Sequence, residues 1–145
     1  MKKLSILFLS VITLGLTVSS CSSDDKDSGS IEGKWQLTEE GVVLNGQEVL
    51  QPATNEGGCN SETYEYLENG TVINTYSEFV NSKCTEYNDS GTWSVDGNNL
   101  TEKYDGDSTG DKYEIATVTG SQLKLKETYS EAGVTFATIR VFKKI

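Results

Sequence analysis

Histidine is absent from this 145-residue chain, and proline and methionine occur once each. Without an imidazole there is no histidine base to activate a serine nucleophile, and no histidine ligand for zinc or haem. Cysteine is scarce as well, with only Cys21, Cys59 and Cys84. Adjacent acidic residues such as Glu39 and Glu40 are interpreted as solvated surface charge. The composition therefore predicts a protein that is not an enzyme and that holds no metal or cofactor.

The chain also contains few positively charged residues. Twelve Lys and Arg residues face 22 Asp and Glu residues, which gives a formal net charge of −10. So acidic a chain lacks the basic surface that nucleic acid phosphates require, and it would be repelled by anionic lipid headgroups. We expect no nucleic acid partner. Acidity of this degree favours a soluble monomer.

The chain also lacks an apolar run long enough to cross a bilayer. Lys2 and Lys3 precede an apolar stretch from Leu4 to Val18, about 15 residues, whereas a spanning helix needs about 20. A positive start, a short apolar core and small residues at its end are typical of a secretory signal peptide, here residues 1–20. An incidental Cys21 in an ordinary secreted protein is the alternative to the interpretation that follows.

Residues 18–21 read Val-Ser-Ser-Cys, which resembles a bacterial lipobox. The resemblance implies that Cys21 becomes the first residue of the mature chain and carries fatty acyl groups, which would anchor the protein to the outer membrane. Residues 21–30 would then form the acylated cysteine and a disordered acidic tether. Its aspartates resemble a surface-export tag but equally suit a plain linker, so the periplasmic and cell-surface faces both stay open.

With Cys21 assigned to lipid, Cys59 and Cys84 remain as an even pair, which in an exported chain predicts a disulfide. Between them, residues 64–76 read YEYLENGTVINTY, a hairpin pattern around Asn69-Gly70. A two-residue turn there would place Cys59 opposite residue 80. Either the turn at Asn69-Gly70 is longer than two residues, or the cysteines lie beyond the paired strands. We expect a bridge across the open end of this hairpin.

Residues 31–145 form the predicted domain, and their apolar residues alternate with polar ones. This period of two predicts strands, and no long window after the signal peptide shows a helical period. Eight strands are expected, near residues 33–40, 62–68, 71–80, 91–96, 99–105, 111–118, 121–129 and 134–143. Eight sequential strands joined by short turns predict an all-β, up-and-down antiparallel barrel, with a two-sheet sandwich as the alternative.

Two motifs carry a family resemblance. Gly33-x-Trp35 opens the first predicted strand, and residues 90–101 read SGTWSVDGNNLT. Together with the cysteine pair and the lipobox, these motifs resemble a bacterial lipocalin-like domain. The resemblance implies a small barrel that binds ligands, and a long side chain of the last strand near the opening tryptophan. The domain is shorter than a full lipocalin and shows no C-terminal helix.

The candidate site residues follow from these patterns. Trp35 is predicted to plug the closed end, with Gly33 easing close approach of the chain and Arg140 placed over the indole face; Trp35 as a ligand-stacking residue is the alternative. Alternation predicts a set of residues that line any lumen: Tyr64, Tyr66, Tyr113 and Leu123.

One loop remains to be interpreted. Residues 105–111, DGDSTGD, resemble the first half of an EF-hand calcium loop, but Ala116 stands where the bidentate glutamate belongs, so a hairpin loop is expected. Within it, the triplet around Ser108 resembles a bacterial O-glycosylation acceptor.

The expected function is binding or carriage of a small apolar or amphipathic ligand at the cell envelope. The alternative is an interaction module whose loops contact an envelope protein or a glycan.

Overall fold

The computed structural model describes residues 29–131 and 134–145. The predicted signal peptide and Cys21, the predicted site of acylation, lie outside these residues. Nine strands and one short 3-10 helix, Glu56–Gly58, make up the described part. The strands are β1 (Gly33–Leu44), β2 (Gln47–Pro52), β3 (Thr63–Tyr66), β4 (Thr71–Val80), β5 (Lys83–Asp96), β6 (Asn99–Tyr104), β7 (Asp111–Val118), β8 (Gln122–Glu131) and β9 (Val134–Lys144).

The strands pair antiparallel in the order β2-β1-β3-β4-β5-β6-β7-β8-β9, and β9 pairs back onto β1. This last pairing closes eight strands into a barrel and leaves β2 as an extra strand. The predicted up-and-down barrel is confirmed, and the sandwich is excluded because a sandwich has no such closing pair. All eight predicted strands are present, but β2 was not predicted, and β5 begins at Lys83 rather than near residue 91.

β2 and β3 run along the same edge of β1. Val42 of β1 pairs with Val49 of β2, whereas Trp35 of β1 pairs with Tyr64 of β3. The two short strands therefore act as one strand that is interrupted by residues 53–62. This loop contains the 3-10 helix and lies beside the distal half of β4, where Gly57 packs against the Phe79 ring.

The disulfide between Cys59 and Cys84 is confirmed, with its two Cα atoms 5.6 Å apart. Its position differs from the predicted bridge across the hairpin end. Cys84 pairs with Phe79 of β4, and Cys59 belongs to the loop on the other side of β4. The bridge therefore crosses over β4 and fastens the loop to β5. The β3–β4 turn is longer than two residues, since Tyr66 pairs with Val72.

The core fills one end of the barrel. Its buried members come from seven strands and from the segment before β1: Ile31, Trp35, Leu37, Tyr64, Tyr66, Val72, Leu100, Tyr113, Leu123, Leu125 and Phe142. At the other end three hairpins, β1–β2, β4–β5 and β8–β9, extend beyond this core, and their tips are mostly exposed. The barrel thus has a closed end and a mouth.

Candidate functional site

The closed end is built around Trp35, whose side chain is 0% exposed. Its indole N–H donates to the Ile31 carbonyl at 2.6 Å, so the one polar atom of the ring is satisfied. The cation over the indole is Lys144, with Nζ 5.0 Å from the ring centroid. Arg140 was predicted there and lies elsewhere, because the register of β1 and β9 places Lys144 opposite Trp35.

Gly33 makes this arrangement possible. Its φ of +116° lies in the region that favours glycine, and a Cβ there would come within 2.8 Å of the Lys144 side chain. The Lys144 ammonium donates to the Glu32 carbonyl at 2.9 Å while it covers the indole. The close approach that was predicted at Gly33 is therefore made by a side chain rather than by backbone.

Arg140 lies inside the barrel, on the face of β9 that also carries Phe142. Its guanidinium carbon is 4.7 Å from the centroid of the Tyr113 ring, 5.3 Å from that of Tyr64 and 5.7 Å from that of Phe142. Its Nη1 donates to the Tyr64 hydroxyl at 2.8 Å. Its Nη2 is enclosed and has no hydrogen-bond partner among the described residues. An enclosed donor left without an acceptor is rare in folded proteins, because it has lost its water without replacement.

A chain of polar side chains continues from Arg140 towards the barrel wall. The Tyr64 hydroxyl donates to Glu62 Oε1 at 2.7 Å, and the Asn74 amide donates to the same oxygen at 2.9 Å. Burial raises the pKa of Tyr64, with Arg140 opposing the shift. Tyr64 therefore stays protonated and relays the Arg140 hydrogen bond to a carboxylate.

A second buried acid lies nearby. Glu102 is 1% exposed and accepts hydrogen bonds from the hydroxyls of Tyr66 and Tyr104. Burial raises the pKa of Glu102, whereas both hydroxyls and the charge of Arg140 lower it. Burial likewise raises the pKa of Tyr113 to about 12, against the opposing charge of Arg140. One hydroxyl, that of Tyr64, thus links the guanidinium to the Glu62 carboxylate, and two other hydroxyls hold Glu102.

The four residues predicted to line a lumen share one environment. Tyr64, Tyr66, Tyr113 and Leu123 are each at most 9% exposed and belong to the buried cluster. The structure brings Tyr64 and Tyr113 together on either side of Arg140, whereas Leu123 packs deeper in the core. Contact of any of them with a ligand stays a prediction.

The mouth carries aromatic residues that the sequence analysis did not assign. Tyr76 of β4 stacks on Tyr87 of β5 with ring centroids 5.6 Å apart, and Tyr129 of β8 stacks on Phe136 of β9 at 5.7 Å. We call these four residues the aromatic rim. Tyr76 shares the face of Asn74 and Tyr129 shares the face of Leu125, so both pairs continue the inner surface of the barrel. Their period-two spacing from the core residues was the signal that could have identified them.

The two rim pairs belong to opposite walls. In the closed strand order, the β4–β5 hairpin and the β8–β9 hairpin are separated by two strands on each side. Tyr87, Tyr129 and Phe136 are 40–46% exposed despite their size. Large apolar side chains left exposed together are typical of a binding surface.

Most of the residues predicted to line a lumen do not line a surface groove in the described part of the chain. Four grooves on the described residues have volumes from about 410 to about 770 Å³. Tyr66 lines the largest of them, at the closed end beside Lys144. Tyr64, Tyr113 and Leu123 line none of the four.

Residues 29–131 and 134–145 contain no cluster of histidine, cysteine, aspartate or glutamate with the arrangement of a metal site. The loop at 105–110 joins β6 to β7, and Ser108 is exposed there. Within these ranges no helix has the length and hydropathy to span a membrane.

Comparison with known proteins identifies the family. The lipocalin-like domain model matches residues 31–125, and the chain therefore belongs to the lipocalin-like domain family. Among curated proteins, no sequence matches this chain significantly.

Solved structures share the fold at low sequence identity. A lipocalin-like protein from Bacteroides uniformis is 14% identical, with a TM-score of 0.55 over 81% of this chain and 100% of its own. A protein from Bacteroides eggerthii is 15% identical, with a TM-score of 0.53 over 80% and 100% of the two chains. Bovine odorant binding protein, solved with its natural ligand, is 18% identical, with a TM-score of 0.45 over 78% and 70%.

Proposed function

We propose that this protein binds a small apolar or amphipathic ligand in the mouth of its barrel, without catalysis, at the bacterial cell envelope. The aromatic rim is the observation that carries the proposal. Three of its four rings are 40–46% exposed on a face that is otherwise buried further down the barrel. Covering such rings stabilises a complex because apolar surface leaves water.

The test is binding of a neutral fluorophore, N-phenyl-1-naphthylamine, to the domain from residue 22 onward. We expect the wild type to bind it and Phe136→Ala to bind it about tenfold more weakly, since one aromatic contact contributes roughly 1–2 kcal/mol. Thr135→Ala is the matched control, because Thr135 is the adjacent exposed residue of β9 and points to the opposite face.

Absence of dye binding to the wild type would contradict the proposal. The explanation would then be the interaction module, with a filled barrel that presents its loops to an envelope protein or a glycan. If Phe136→Ala and Thr135→Ala weaken dye binding equally, the ligand does not bind at the aromatic rim.

The envelope location rests on the sequence. Val18 to Cys21 resembles a lipobox, and the described domain begins only a few residues later, which suits a short tether to a lipid-modified cysteine. Acyl chains on Cys21 would hold the protein on the outer membrane, since two or more chains give stable anchoring.

Cys21→Ser is expected to abolish incorporation of labelled palmitate and to release the protein from the membrane fraction. Ser22→Ala keeps the cysteine and should remain in the membrane fraction, so it serves as the control. If the Cys21→Ser protein still sediments with membranes after normal removal of residues 1–20, the lipobox interpretation is wrong.

A further inference from the structure

The unpaired Nη2 of Arg140 distinguishes one part of the barrel interior from the rest. Nη1 of the same guanidinium is satisfied by the Tyr64 hydroxyl, and three aromatic rings surround the group. The side chain as a whole retains part of its exposure, so it lies between the core and the mouth. A donor in this position needs an acceptor that the described protein residues do not provide.

The charge around Arg140 indicates what kind of acceptor fits. Glu62 accepts a hydrogen bond from Tyr64, whose ring contacts the guanidinium, and Glu102 accepts hydrogen bonds from Tyr66 and Tyr104. Asp111 pairs with Glu102, and Glu127 follows Leu125 on the inner face of β8. These carboxylates outnumber the guanidinium. Asp111 is exposed and Glu127 is partly exposed, so the repulsion of a further anion bound beside Arg140 would come chiefly from Glu62 and Glu102.

We propose that the ligand is a neutral molecule with a carbonyl-type oxygen that accepts a hydrogen bond from Arg140 Nη2, while its apolar part contacts the aromatic rim. This inference rests on the proposed function and specifies the chemistry of its ligand. Arg140 is partly exposed and lies along β9 between Phe142 of the core and Phe136 of the rim, so the oxygen would approach Nη2 from the side of the mouth. A carboxylate of the same length is a poorer ligand because of the acids around the guanidinium.

Three probes of similar length test the proposal: 2-undecanone, its hydrocarbon isostere 2-methyl-1-undecene, and undecanoate. Each is used at pH 8 to displace N-phenyl-1-naphthylamine from the domain. The quantity measured is the preference for the ketone over the isostere, in the wild type and in the double variant Arg140→Met, Glu102→Gln. The two changes together remove one positive and one negative charge, so the variant keeps the net interior charge.

We expect the preference for the ketone to fall about tenfold in the double variant, because one hydrogen bond to a charged donor is lost. We also expect undecanoate to bind the wild type more weakly than the ketone does. An unchanged preference would overturn the role of Arg140, and tighter binding of undecanoate would overturn the charge argument. In both cases the proposed function would stand. If the dye binds and none of the three probes displaces it, the inference about the ligand fails and the proposed function stands. If no dye binds at all, the proposed function itself fails.

A second measurement uses only the wild type, so it tests the proposal even if the double variant does not fold. 2-Undecanone is labelled with carbon-13 at its carbonyl carbon, and the chemical shift of that carbon is measured by NMR. In the bound ketone this chemical shift should lie downfield of its value in hexane, because a hydrogen bond withdraws electrons from the carbonyl. A bound ketone whose carbonyl resonance matches that in hexane would overturn the proposal.

Discussion

Trp35→Ala is expected to lower the free energy of unfolding by about 3–5 kcal/mol, the usual loss when a buried aromatic side chain is deleted. The indole is 0% exposed, packs within the main core cluster and donates a satisfied hydrogen bond to Ile31. Truncation removes these contacts and leaves a cavity beneath Lys144. Urea unfolding monitored by circular dichroism measures the loss.

Trp93→Ala is the matched control for this prediction. Trp93 is the other tryptophan, it also donates to a carbonyl, that of Leu67 at 3.0 Å, and it also contacts Tyr66 edge to face. It is only half-buried, so its removal should cost less than removal of Trp35. If Trp93→Ala lowers the free energy of unfolding as much as Trp35→Ala or more, the role of Trp35 in plugging the closed end is contradicted. Should Trp35→Ala not fold, Trp35→Phe and Trp93→Phe test the same ranking with smaller cavities.

Replacing both Cys59 and Cys84 by alanine is expected to cost about 3 kcal/mol of unfolding free energy. The bridge closes a loop with a sequence separation of 25, and closing a loop of that size restricts the unfolded chain by roughly this amount. The variant also frees residues 53–62 from β5. Thermal unfolding of the reduced and oxidised proteins measures the effect.

Reductant provides the internal control for the disulfide. Dithiothreitol should lower the stability of the wild type to that of the double alanine variant and leave the variant itself unchanged. A wild type that unfolds at the same temperature in both conditions would show that the bridge contributes nothing. A variant that also responds to reductant would point to an effect unrelated to this disulfide.

Alternation predicted the barrel because most strands have one buried and one exposed face. Trp35 and Leu37, and later Leu123 and Leu125, lie on the inner face as their spacing indicated. The first half of β5 was not predicted, since residues 83–90 are all exposed and carry no apolar face. β2 was missed for a similar reason: five of its six residues are exposed. Patterns of burial predict only the strands that the core covers.

Local sequence patterns did not predict which side chain of β9 lies over Trp35. The family resemblance placed Arg140 near Trp35, yet the pairing of β1 with β9 puts Lys144 there instead. Arg140 lies four residues before Lys144, about 13 Å along an extended strand. A register between residues more than 100 positions apart depends on closure of the whole barrel, which no local pattern encodes. The partnership of Arg140 with Tyr64 and Tyr113 arises from that closure.

The long strand β5 has a consequence for how the molecule meets its neighbours. Among the described residues, β6 pairs only with the part of β5 from Gly91 onward, so residues 83–89 leave one row of backbone amides and carbonyls without a strand beside them. An open sheet edge of this kind can recruit a strand from another molecule. Lys83, Glu86 and Asp89 are exposed along it. Charged side chains on an open edge are one of the devices that disfavour pairing of a sheet with the sheet of another molecule.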